Sequence, residues 1–170
     1  GTISGGGTFD GNWNPAPYQV FFYAKADTLP LSGGTWIGST ASDGTLSATT
    51  ATRQKLGGWM KFDTTTAHTV HLKLAVSFVS VEQARAQLEN EIPAWDLAGL
   101  ETAAKNRWID AVSTVRAPGI GNAEGRKLYT ALFHSLVQPR DRTLDAGWNA
   151  PFWDDQYTLW DTWQSLYPLL

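Results

Sequence analysis

The hydrophobic period of the chain changes once, at Ser80, and this limits the architecture more than any other feature. Before it, Val70, Leu72, Leu74, Val76 and Phe78 alternate with His71, Lys73, Ala75 and Ser77, the two-residue repeat of a β-strand over 69–79. One face of that strand is expected to be buried and the other to be mixed. After Ser80, apolar residues recur at three- and four-residue intervals, and Leu97, Leu100, Ala104, Trp108 and Val112 form one helical stripe. Strands therefore occupy 1–79 and helices 80–170. Strands followed by helices imply an α+β chain with segregated layers or two domains, and exclude an alternating parallel sheet.

Residues 1–15 contain Gly5-Gly6-Gly7 and Asp10-Gly11-Asn12 and read as loop, with only Thr2-Ile3-Ser4 resembling a short strand. The dense aromatic run over 18–24 predicts a strand buried on both faces. Ser32-Gly33-Gly34 reads as a turn and Thr35-Trp36-Ile37 as a short strand. Residues 40–52 read as a hairpin around Asp43-Gly44, and Trp59-Met60-Lys61-Phe62 as a further strand. Ser80 with Gln83 fits a capping box, and Pro93 closes the helix it opens. Asp96 caps a second helix, which ends before Pro118-Gly119-Ile120-Gly121. A third spans 124–138, with Leu128, Leu132 and Leu136 along one side. Residues 140–150 read as loop, and a fourth helix is expected from its cap at Asp155.

A net charge of −3 with no basic run excludes a nucleic-acid partner. No apolar run reaches the roughly 18 residues of a membrane span. There is no cysteine, hence no disulfide frame. The chain opens on Gly1, its only methionine is Met60, and it closes on the apolar Tyr167-Pro168-Leu169-Leu170. Neither the strand half nor the helix half looks complete, so a fragment of a larger two-domain protein, or one chain of a cleaved one, is expected.

The chemistry concentrates near the end. Asp154, Asp155 and Asp161 are interleaved with Tyr157, Trp160 and Trp163. A carboxylate beside an indole suits a sugar: the acid accepts hydrogen bonds from vicinal hydroxyls and the ring covers the C–H face. Asp161 has no base three or four residues on, where Gln164 and Ser165 stand, and burying it without a partner is costly. Trp163 aligns with Leu159, Leu166 and Leu170 and reads as core, whereas Trp160 shares a face with Tyr157 and Tyr167 and is a candidate. Trp148 and Trp153, in the loop just before, are the next candidates for a sugar subsite among nine tryptophans. Asp154 and Asp155 read as a loop charge and a helix cap in preference to calcium ligands. His134 reads as an ordinary helix histidine.

The segment 76–91, Val-Ser-Phe-Val-Ser-Val-Glu-Gln-Ala-Arg-Ala-Gln-Leu-Glu-Asn-Glu, resembles the strand-to-helix junction of glycoside hydrolase family 92, the α-mannosidases. Trp108 in its helix, the run 128–136 with Pro139, and the run 157–163 through Leu170 resemble the same family in the same order. The resemblance is close over 70–170 and loose over 1–69. It implies part of an N-terminal antiparallel β-sandwich over 1–79, a helical connection over 80–95, and the start of an (α/α)6 toroid over 96–170. It further implies an exported enzyme (secreted, periplasmic or cell-surface) that is calcium-dependent, exo-acting and inverting on terminal α-mannosides of glycans. An inverting glycosidase separates its acid and base by about 6.5–9.5 Å. In the family those two carboxyl groups and the calcium ligands lie downstream of the Trp-Asp motif, so this chain would hold none of them and be inactive alone. The remainder of the enzyme, or a second chain, would complete the toroid. Carried over, Asp161 would accept hydrogen bonds from the terminal mannose and Trp160 would shape the pocket wall. Gln164 departs from the arginine that often follows this motif, which removes a fixed cation. The alternative is a non-catalytic carbohydrate-binding or structural assembly module.

Overall fold

A computed structural model of the chain describes residues 1–11, 16–51, 53–65, 68–144 and 150–154. It divides into two compact units, Gly1–Trp95 and Asp96–Leu170.

Six strands open the first unit: β1 (Thr2–Phe9), β2 (Tyr18–Ala26), β3 (Ser32–Ile37), β4 (Thr40–Asp43), β5 (Leu56–Lys61) and β6 (Leu72–Ser77). They form two antiparallel sheets, one in the order β1-β2-β6 and one in the order β4-β3-β5. The chain is therefore α+β, antiparallel sheets followed by helices, as the change of period requires.

Glycine explains where the strands differ from expectation. Residues 2–9 are a full strand, not a loop, because Gly5, Gly6 and Gly7 stand opposite Phe22, Phe21 and Val20. A Cβ on Gly5 would lie 3.1 Å from the Phe22 ring, and one on Gly6 would overlap the Phe21 ring. The bulky partner strand fills the space that the glycines leave, an arrangement that compensates for their poor strand preference. Ser32-Gly33-Gly34 is likewise strand, not turn. Gly34 pairs with Trp59, and two residues on Trp36 pairs with Gly57. Each indole lies over the glycine opposite: a Cβ on Gly57 would be 2.7 Å from Trp36, and one on Gly34 would be 2.9 Å from Trp59 Nε1 and overlap the Ser42 carbonyl. The reverse turn falls instead at Gly38-Ser39, between Ile37 and Thr40. Gly38 has φ +62°, a conformation that glycine adopts without strain. The hairpin expected around Asp43-Gly44 is thus displaced, and Gly44 merely ends β4.

The helix α1 (Val81–Glu91) packs on the first sheet. Ser80 Oγ accepts the Gln83 N–H at 3.0 Å, so the predicted cap is in place. Tyr23, Ala84 and Leu88 form the buried cluster, with Ala75, Val81 and Ile92 around it. This corrects the expected faces of β6. The mixed face, with Ala75 and the fully buried Ser77, is the one that α1 covers. Leu72, Leu74 and Val76 on the other face are 59%, 53% and 44% exposed. Small residues let the helix approach the strand closely, and Lys73 holds it there. The last turn of α1 has no basic residue. Lys73 Nζ supplies the cation from the sheet, donating to Ile92 O at 2.6 Å and Pro93 O at 3.2 Å, and sits 4.2 Å from the Trp95 ring centroid. On β2, Tyr23 is buried on the helix side and Ala24 and Ala26 on the opposite side, while Phe21 and Phe22 are half-buried.

The second unit holds α2 (Leu97–Val112), α3 (Asn122–Ser135), β7 (Arg140–Asp141) and β8 (Trp153–Asp154). Asp96 caps α2 as predicted, its Oδ1 accepting the Gly99 N–H at 2.9 Å. No residue of α2 is buried, so its apolar stripe lies open, apart from Trp108, which meets Phe133 edge-on at 4.4 Å. On α3 Leu132 is buried, and Tyr129 Oη donates to Val115 O at 3.2 Å, tying the helix to the preceding turn. Helix α3 ends three residues before the expected limit. The expected loop 140–150 contributes its first two residues to a ladder, and Asp154 lies in a strand. The expected fourth helix from Asp155 lies outside the described residues.

Two outcomes follow. Gly34→Ala forces a methyl against a backbone carbonyl and an indole, and is expected to destabilise the fold by about 1–3 kcal/mol in urea unfolding. The second concerns Asp27, at the end of β2. Its carboxylate accepts from Thr28 Oγ1, from the His71 N–H at 3.2 Å and lies 2.7 Å from His71 Nδ1. These contacts, the His71 side chain first, hold the carboxyl below its ordinary value of 3.8. A lowered folded value means the contribution is present above the unfolded value and lost as pH falls through the folded one. The difference in melting temperature between wild type and Asp27→Asn is expected to be present above the ordinary carboxylate range and to close as pH falls below it.

Candidate functional site

Of the four residues predicted to touch substrate, Trp153 is described and Trp148, Trp160 and Asp161 lie outside the described residues, as do Asp155 and Gln164. Trp153 is 59% exposed and stands directly opposite Asp141 in the β7–β8 ladder. Cross-strand neighbours share one face of a ladder, so the ladder sets a carboxylate beside an indole.

A short hydrogen-bond chain holds this pair. The Arg142 N–H donates to Phe152 O at 2.8 Å, and the Phe152 N–H donates to Thr143 Oγ1 at 2.9 Å. Thr143 then turns back on Asp141: its N–H and its hydroxyl donate to Asp141 Oδ1 at 3.0 and 2.6 Å. The Thr143 hydroxyl first, and its N–H second, hold the Asp141 carboxyl below its ordinary range, against a small opposing effect of burial. The site therefore presents an ionised acceptor and an aromatic face, both open to solvent.

Other candidates resolve into packing. Trp36 and Trp59 cover glycines of their own sheet. His134 is exposed in the last turn of α3, and its ring lies 5.7 Å from Phe133. An open cleft of about 530 Å³ between α2 and α3 is lined by Trp108, Ile109, Val112, Tyr129 and Phe133, with Lys105 and Arg126 among its walls. Among the described residues no carboxylate lines it. Among the described residues no group of three or more His, Asp or Glu side chains could hold a metal ion. Nor is any described helix long and apolar enough to cross a membrane.

Asp141 and Thr143 are the residues that sequence reasoning missed. The signal was the Asp-x-Thr spacing, which favours a side-chain-stabilised turn. A two-residue ladder leaves no periodicity to find.

Comparison with known proteins places the chain more broadly. Residues 1–77 match the family model "Glycosyl hydrolase family 92 N-terminal domain", and residues 83–170 match "Glycosyl hydrolase family 92 catalytic domain". No curated protein matches the chain by sequence. Among solved structures, it is similar to a family 92 inverting mannosidase from Bacteroides thetaiotaomicron VPI-5482, at TM-score 0.79 and 20% identity, over 99% of this chain and 24% of that one. It is also similar to a family 92 α-mannosidase from Bacteroides thetaiotaomicron, at TM-score 0.72 and 21% identity, again over 99% of this chain and 24% of that one. That second enzyme has also been solved with mannoimidazole. The chain spans about a quarter of the length of these structures.

Thr143→Val removes both the hydroxyl that Asp141 accepts from and the acceptor for the Phe152 N–H. The Asp141 carboxyl is expected to titrate closer to its ordinary value in this variant, read by carbon-detected NMR of the side chain. An unmoved titration would show that Thr143 does not set the charge.

Proposed function

The chain belongs to glycosyl hydrolase family 92, and from that premise we propose that it is the N-terminal part of a calcium-dependent, inverting exo-α-mannosidase acting on terminal α-mannosides of glycans. The observation that carries this reading is the matching of both family models, in order, along one chain. Two solved neighbours that share its fold are mannosidases, one of them inverting. In this reading 1–79 is part of the sandwich, 80–95 the helical connection and 96–170 the start of the toroid. The enzyme works outside the cytoplasm, on the cell surface, in a periplasm or after secretion.

Asp161 accepts hydrogen bonds from the terminal mannose, Trp160 forms the wall beside it, and Trp148 and Trp153 add aromatic surface. The general acid and base belong to the part of the architecture that this chain does not span. The same is proposed for the calcium ligands, on the family resemblance, and no step is routed through the ion. What this chain contributes is orientation. A carboxylate on vicinal hydroxyls and a ring against the C–H face hold the sugar so that an acid and a water approach from opposite sides.

Asp161→Ala in the full-length enzyme is expected to lower kcat/KM on an aryl α-mannoside by about 10- to 100-fold, the loss of a charge-assisted hydrogen bond. Residues 1–170 alone are expected to show no turnover. Robust hydrolysis by residues 1–170 alone would overturn the division of labour, and mannose binding without hydrolysis by the full-length protein would favour a carbohydrate-binding module.

A further inference from the structure

We propose that Lys73 couples the two family 92 domains of this chain: the first helix of the catalytic region completes its C-terminal turn only when docked on the sheet that carries this lysine. The family boundary falls between residues 77 and 83, where the N-terminal match ends and the catalytic match begins. The compact units divide later, after Trp95. Helix α1 thus lies almost wholly in the catalytic match, yet it packs on β2 and β6 of the N-terminal one. Their buried cluster draws Tyr23 and Ala75 from one match and Ala84, Leu88 and Ile92 from the other. The boundary between the family domains therefore runs through a packed core.

Three features assign the coupling to Lys73. Helix α1 has 11 residues, a length at which an isolated helix is marginal in water. Its last turn carries Glu89 and Glu91 and no basic residue, so its own charges oppose the helix dipole. Lys73 brings the missing cation from across the family boundary. Its Nζ donates to Ile92 O at 2.6 Å and to Pro93 O at 3.2 Å, and lies 4.2 Å from the Trp95 ring centroid. The placement works against the sheet itself. Lys73 stands directly opposite Lys25 in the β2–β6 ladder, where like charges repel. A lysine at this register position thus serves the helix end and not its own strand. Division of the chain at the family boundary would leave α1 without its counter-charge and Tyr23 without its cover.

The test is amide hydrogen exchange of the full-length protein without substrate, so its outcome is separate from that of the mannosidase reading. The Ile92 N–H, which donates to Leu88 O at 3.0 Å, reports the last turn of α1. The amides of β3 and β5 report the other sheet. Lys73→Met keeps the apolar stem and removes the charge. It is expected to speed exchange at Ile92 by roughly 10- to 100-fold, the loss of charge-assisted hydrogen bonds, and to leave β3 and β5 unchanged. Lys25→Met removes a cation from the same face and relieves the repulsion, so exchange at Ile92 is expected to stay the same or slow. An unchanged Ile92 rate in Lys73→Met would overturn the coupling. So would equal acceleration in every strand, or the same acceleration in Lys25→Met.

Discussion

The strand half depends on aromatic rings lying over glycines of a neighbouring strand. Trp36 over Gly57 and Trp59 over Gly34 form two reciprocal pairs on one face of β3 and β5. Phe21 and Phe22 do the same for Gly6 and Gly5 across β1 and β2. A strand with two or three glycines in succession has little to pack and much entropy to lose. A ring from next door supplies the missing apolar area and fixes the register, since a slip by one residue would put a ring against a Cβ or a hole. These strands are thus specified in pairs, and a change of either member acts on both.

The same pairing explains what was legible in the sequence. The change from strands to helices at Ser80, the caps at Ser80 and Asp96, and the buried Leu132 side of α3 follow from residues within a few positions of each other, and the structure has these. Gly5-Gly6-Gly7 and Gly33-Gly34 were misread as loop and turn because their reason for existing lies on another strand. The faces of β6 were inverted for a similar cause. Hydrophobicity pointed to Leu72, Leu74 and Val76, but helix contact is set by what allows close approach and by the Lys73 bonds to Ile92 and Pro93. Trp153 was legible as a sugar candidate from its position, whereas Asp141 was not, because only the ladder register brings it opposite.

The candidate chemistry has one recurring form, a carboxylate beside an indole. It occurs in sequence at Trp160-Asp161 and in space at Trp153–Asp141. The first is proposed through family resemblance, and the second is a feature of the β7–β8 register. On the proposed reading, the acid and base of the reaction lie outside both pairs. That agrees with a chain that matches 99% of its own length but 24% of a family 92 mannosidase.

The stereochemistry of the reaction tests the central claim most directly. Proton NMR of the full-length enzyme hydrolysing an α-mannoside shows which anomer of mannose forms before mutarotation. An inverting family 92 enzyme releases β-mannose first. Release of α-mannose first, or no mannose at all, would contradict the account.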